Sequence, residues 1–200
     1  MENNEKELTP EESLQLISQV ITNTRRSFKY QSFYFLLWGW LTVIAALTNF
    51  FLIQYFVYNH HENRIGLWSF VDWSIMVVIG WALSIYYTRK RFQTEKVKNQ
   101  FGLIIKALWF ATGMTSIPII VACIKLHFYP APIILIICGL STVMTGFIIR
   151  FKPIIYGGII FWIFSIVSVF ILNEYQLVIY AVAMVLGNII PGYMLKYSKN

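Results

Sequence analysis

Few residues in this sequence are equipped for chemistry, and most of those stand alone. Asp72 is the only acidic residue inside a long apolar run. An unpaired charge costs about 2.5–3.5 kcal/mol at the centre of a membrane helix and less towards its edge, so an acid held there is paired or functional. Lys125, near the outer end of the third apolar run, is the best-placed partner. The competing reading starts the second span near Ser69 or Val71 and leaves Asp72 in the wet interface. His60, His61 and His127 fall in the outer connections, with Glu62 close by. Imidazole and carboxylate together can ligate zinc. Adjacent histidines without an HxxxH or CxxC pattern read first as solvated loop residues. Asn49, Gln54 and Asn188 are amides within apolar runs. Such amides usually bond across helices, contributing about 0.6 kcal/mol on average. Asn188 lies three residues before Pro191, where a freed carbonyl beside an amide can line a cavity.

Enzyme and cofactor motifs are missing: there is no G-x-S-x-G elbow, no Walker loop and no H-E-x-x-H. Gly139-Leu140-Ser141-Thr142 is similar to the nucleophile run of intramembrane serine proteases, but it lacks the second glycine and no later span holds a histidine base. The expectation is a non-enzymatic protein with no cofactor. A net charge of +7 without aromatic interleaving in its basic stretches argues against nucleic acid. Cys123 and Cys138 sit in apolar runs at different depths and read as small buried residues, not a disulfide.

The elements that position these groups are helices in lipid. Hydrophobic residues make up 58% of the 200 and charged ones 12%, about half the charge of a soluble domain. Six mostly apolar runs, at 32–57, 66–87, 103–126, 130–149, 153–172 and 175–195, each match the roughly 20 residues needed to cross a bilayer. Only α-helix satisfies the backbone of such runs in lipid. Short connections make neighbours antiparallel, and Pro118 and Pro191 should bend the third and sixth spans. The fold class is therefore all-α: a polytopic bundle of six transmembrane helices (32–195) between a cytoplasmic N-terminal tail (1–31) and a short C-terminal tail (196–200). No cleavable signal pattern precedes the first span. Within the tail, Thr9-Pro10-Glu11-Glu12 is a helix start, and Leu14, Ile17, Val20, Ile21, Thr24 and Phe28 follow at helical spacing. This predicts an amphipathic helix over about 10–29 that lies on the membrane or docks on a neighbour.

Orientation follows from the basic residues. Lys6, Arg25, Arg26, Lys29, Arg89, Lys90, Arg91, Lys96, Lys98, Lys106, Arg150, Lys152, Lys196 and Lys199 lie on one side, and only Arg64 and Lys125 on the other. Fourteen against two places both termini in the cytoplasm. Phe101-x-x-Ile104-Ile105 recurs as Phe151-x-x-Ile154-Ile155, and Gly80, Gly139 and Gly187 mark the even spans. Three repeated hairpins would give this pattern. So would the positive-inside bias, which ends every outside-to-inside helix in Lys or Arg.

Glu11-Glu12-Ser13-Leu14 through Asn23-Thr24-Arg25, Leu36-Leu37-Trp38-Gly39-Trp40, Gly146 to Lys152 and Ile189-Ile190-Pro191-Gly192 together resemble a group of small six-span bacterial membrane proteins of unassigned function. The resemblance covers nearly the whole chain, rests on helix-packing and interface residues, and carries over no site residues. It implies a bacterial cytoplasmic membrane protein, often encoded beside a winged-helix regulator, with an envelope or regulatory role. Two functions are expected to compete. One is a scaffold, sensor or regulatory subunit whose N-terminal helix binds a protein partner or a second copy. The other is a small-solute transport or substrate-capture subunit with a wet pocket lined by Asn49, Asp72 or Asn188. Cysteine reporters at Asn63 and Tyr129 are expected to react with an impermeant thiol reagent on intact cells, and reporters at Thr94 and Ser198 to stay unlabelled. Labelling of Thr94 in intact cells would overturn the topology.

Overall fold

The computed structural model describes residues 10–92, 100–126, 128–171 and 174–198. Helix α1 spans Pro10–Tyr58, and a short 3₁₀ turn at Glu62–Arg64 leads into α2, Ile65–Phe92. Then come α3 (Gln100–Leu126), α4 (Ala131–Ile149), α5 (Lys152–Val169) and α6 (Tyr175–Met184), which continues through a π-helical stretch, Val185–Ile189, into α7 (Ile190–Tyr197). Six segments are long and apolar enough to cross a membrane: Gln31–Tyr58, Glu62–Lys90, Gly102–Leu126, Ala131–Ile149, Lys152–Val169 and Tyr175–Tyr197. Among the described residues there is no strand. The chain is an all-α membrane protein with six candidate spans.

One expectation about the tail changes. The predicted amphipathic segment over about 10–29 is not a separate helix, because α1 runs from Pro10 to Tyr58 without a break. The sequence explains this: after Pro10 the segment holds no proline, and its single glycine, Gly39, lies well inside the span. The side chains of residues 10–30, and hence the apolar stripe, lie outside the described set.

Helix ends are closed by backbone geometry. At the end of α4, Arg150 adopts a left-handed conformation (φ 57°), its N–H reaches the Phe147 carbonyl at 3.2 Å, and the N–H of Phe151 reaches Gly146 at 3.0 Å. This is a Schellman closure. It leaves only Arg150 and Phe151 between α4 and α5, and Pro153 starts the next helix where its missing N–H does no harm. The end of α1 repeats the motif: His60 is left-handed (φ 56°), with His60 N–H to Val57 O at 3.2 Å and His61 N–H to Phe56 O at 2.9 Å.

The packed centre consists of α1, α4, α5 and the α6–π–α7 rod, with α4 and α5 the most intimate pair. Helix α2 leans mainly on α1 and α3 mainly on α4, and these two bury the least of their lengths. Their outward faces carry large apolar side chains such as Phe70, Val78, Leu103 and Ile124. So much exposed apolar surface suits lipid, not water. The α4–α5 contact crosses a boundary between the hairpins that a repeat would define, and the three marker glycines do not share one role: Gly80 differs from the other two. Gly80 faces Trp38 and Leu41 of the preceding helix, whereas Gly139 and Gly187 face α5.

Close approach is greatest at Gly157-Gly158. A Cβ on Gly157 would collide with the Gly187 carbonyl of the π stretch, and one on Gly158 with Val143 and the Gly139 carbonyl of α4. Both neighbours therefore reach α5 at backbone contact on adjacent residues. Pro191 has no N–H to offer the Gly187 carbonyl, and the helix passes into π geometry just there. Pro118, by contrast, lies within an uninterrupted α3. Gly157→Leu is expected to destabilise the bundle by about 1–3 kcal/mol or prevent folding. Gly113→Ala, at a glycine with nothing within 4 Å of its added Cβ, should be neutral or slightly stabilising. Thermal unfolding of the purified variants in detergent checks both.

Candidate functional site

Helices α1 and α2 pair in antiparallel register over most of the bundle's depth. The Phe33 and Tyr87 rings stack with centroids 3.7 Å apart, Tyr34 Oη lies 2.6 Å from Thr88 Oγ1, and Phe56 meets Trp68 at 6.4 Å. Between these ends Ser69 and Ser84 of α2 bury their hydroxyl oxygens without partners, and at one level a polar contact crosses the seam. There Asp72 Oδ1 and Thr48 Oγ1 are 2.9 Å apart, and the Asn49 side chain lies beside the same carboxyl. Asn49 is buried, with Nδ2 unpartnered, and the Asp72 Oδ2 atom is buried and unpartnered too.

Helix α2 begins at Ile65, ahead of Ser69 and Val71, and the candidate span there runs Glu62–Lys90. A bilayer centred so that Arg64 and Arg89 both stay outside the hydrocarbon would put Asp72 about 8 Å inside its edge. Lys125 is not its partner. It is exposed in the last turn of α3, and among the described residues no ion pair joins the two. Asp72 turns towards α1 because α2 rests on α1 and not on α3.

Asn188 occupies a second place. It is 2% exposed, lies within the π stretch, and donates from Nδ2 to the Phe35 carbonyl at 3.2 Å, while its Oδ1 is buried and unpartnered. Asn188 Nδ2 lies against Gly39, nine residues or about 14 Å from Thr48 along α1, so Asn188 does not touch Asn49 or Asp72. Its level is shared by Thr142 of α4, since Gly157-Gly158 touches both neighbouring stretches. Thr142 is fully buried with an unpartnered Oγ1. Towards α3 the same depth carries Thr112 Oγ1 to Ser141 Oγ at 2.5 Å and Trp109 Nε1 to Thr145 Oγ1 at 3.2 Å. A polar layer thus separates two apolar clusters, one around Leu135, Phe161 and Met184 and the other around Phe35, Ile154 and Leu195.

The third place is the end of the bundle opposite the termini. Gln54 Nε2 donates to Glu174 Oε1 at 3.1 Å, which takes Gln54 out of the lipid-amide class. Burial pushes the Tyr129 hydroxyl up, and the neighbouring Glu174 charge adds to the effect. His60 and His61 are exposed here, and His127 lies outside the described residues. Among the described residues no group of three His, Cys, Asp or Glu side chains could hold a metal ion. What His60 visibly does is end α1 in the left-handed region, which His tolerates better than most non-glycine residues. Cys123 and Cys138 are both free thiols.

Sequence reasoning missed Thr48 and Thr112, and it singled out Ser141 and Thr142 only within the Gly139–Thr142 run without their cross-helix setting. An isolated hydroxyl in an apolar helix is satisfied by its own backbone, and Thr48, Thr112 and Thr145 all show that bond as well. Comparison with protein families, curated proteins and solved structures returns no match.

Three substitutions separate these roles. Asn188→Val should destabilise by about 1–2 kcal/mol through loss of its cross-helix bond. Lys125→Gln should stay within about 0.5 kcal/mol of the parent. His60→Gly should stabilise by about 0.5–1 kcal/mol, because glycine adopts the left-handed cap without penalty. Unfolding midpoints in one detergent measure all three.

Proposed function

We propose that this chain is a non-enzymatic sensor or regulatory subunit of the bacterial cytoplasmic membrane. Its N-terminal segment engages a protein partner or a second copy, and α1 carries the state of the membrane domain to that segment. The observation behind this reading is the continuity of α1. Forty-nine residues at about 1.5 Å each make a rod of about 73 Å, more than twice the hydrocarbon thickness. Roughly twenty of its residues precede the candidate span at Gln31, and the remainder passes Asn188 and holds Asp72. A rod shared between the two regions couples them without a hinge.

The excess of basic residues at the end bearing the termini favours a cytoplasmic location for that end. The resemblance to small bacterial six-span proteins encoded beside winged-helix regulators points the same way. The transport reading draws on one observation, the π stretch at Asn188 with its unpartnered Oδ1. Against it, the intramembrane polar groups divide into two places about 14 Å apart along α1 and do not converge on a single centre.

The test is a pull-down from native membranes with the full chain and with the double variant Ile17→Asp plus Ile21→Asp. Burying one such side chain contributes about 1.5–3 kcal/mol, so two charges there should abolish docking while all six spans still insert. Retention of every partner and of the oligomeric state would remove the regulatory reading. A thermal shift with a small metabolite, lost in Asn188→Val, would favour transport instead.

A further inference from the structure

Thr48 has one hydroxyl proton, and three oxygens lie within hydrogen-bonding distance of it. Its Oγ1 is 2.9 Å from the Ile44 carbonyl, 3.1 Å from the Ala45 carbonyl and 2.9 Å from Asp72 Oδ1. The two carbonyls can only accept, and so can an ionised carboxylate. With Asp72 ionised, the single proton serves one of three acceptors, and Oγ1 faces the other two with no hydrogen between. With Asp72 neutral, its own O–H donates to Thr48 Oγ1, and the Thr48 proton goes to the backbone carbonyls of the preceding turn. Every short contact then has a donor.

The second carboxyl oxygen points the same way. Oδ2 is buried without a partner. A bare anionic oxygen in a low-dielectric setting is far more costly than the carbonyl oxygen of a neutral acid. Among the described residues no compensating cation is paired with it. Between Gln31 and Tyr58, α1 holds no Asp, Glu, Lys, Arg or His. The 3₁₀ turn bears Glu62 and Arg64 at the bundle's end, and α2 itself bears Arg89 and Lys90 near the other. From α6 the titratable group nearest this level is Tyr180, whose ring packs on Trp73.

We infer that Asp72 is a proton-binding site within the membrane, occupied in the packed state and donating its proton's hydrogen bond to Thr48. An alternative arrangement is built in for the ionised form. Thr48 turns its proton from the backbone to Oδ1, and the unpartnered Asn49 Nδ2 beside the carboxyl supplies a donor to Oδ2. The ligand is the proton itself, and the inference does not depend on the N-terminal partner.

The test uses infrared difference spectroscopy of the full chain in lipid vesicles, titrated from about pH 5 to about pH 9. A carbonyl stretch of protonated carboxyl is expected at neutral pH in the parent protein. It should be absent from Asp72→Asn and should disappear reversibly as the pH rises. Thr48→Val keeps the shape and removes the acceptor hydroxyl, so it should shift that band in frequency. Thr48→Ser should restore the parent position. If Asp72→Asn does not fold, the shift between the parent and Thr48→Val carries the assignment. A parent spectrum at neutral pH without a protonated carboxyl band, or with a band indifferent to Thr48→Val, would overturn the inference.

Discussion

The bundle depends on backbone-level contact at adjacent glycines of α5. Lipid tails are as apolar as leucine, so helices in a membrane gain little from burying apolar surface and are held by close van der Waals contact and hydrogen bonds between them. Gly157 admits the π stretch and Gly158 admits α4, which ties three elements at one depth. Ser165 Oγ to the Pro132 carbonyl at 2.9 Å and Trp162 Nε1 to the Ile136 carbonyl at 3.1 Å extend the α4–α5 contact outwards. The interruption of regular helix at Val185–Ile189 belongs to the same arrangement, since it lies where Gly187 turns its carbonyl on Gly157.

This crossing sorts the polar groups. The side chains at its level, Thr142 and Asn188, are sealed in the centre, and the Thr112–Ser141 bond ties α3 to it. Helix α2 stands outside the crossing and meets α1 along a single seam. In that seam the Thr48–Asp72 contact is the polar link at depth, with Tyr34–Thr88 closing the end near the termini. The membrane domain therefore has a dense centre and a side helix whose attachment includes a titratable group.

Much of this architecture was legible in the residues. The six runs recover the six spans because apolar length is the dominant constraint in lipid. Gly157-Gly158 and Ala183-x-x-x-Gly187 stand out as small packing surfaces, but a sequence does not say which helices they bring together. Pairing was the weak point throughout. Lys125 is a reasonable partner for Asp72 by depth alone, and the structure sends Asp72 to α1 because α3 belongs to α4. Asn49 and Asn188 look alike as intramembrane amides, yet lie far apart along the rod. The break expected between tail and first span is absent because no residue there disfavours helix. His60 reads as a chemical group and acts as a chain-reversal residue, since left-handed geometry is invisible to composition.

The unbroken α1 also has a mechanical meaning. A stiff arm of about twenty residues, roughly 30 Å, projects beyond the first span. A tilt of about 10° at its base displaces the tip by about 5 Å, comparable to one helical turn. Rearrangements at the α1–α2 seam too small to open a pore are thereby enlarged at the arm's end. Such an arm works as a lever whose fulcrum is buried in the bilayer.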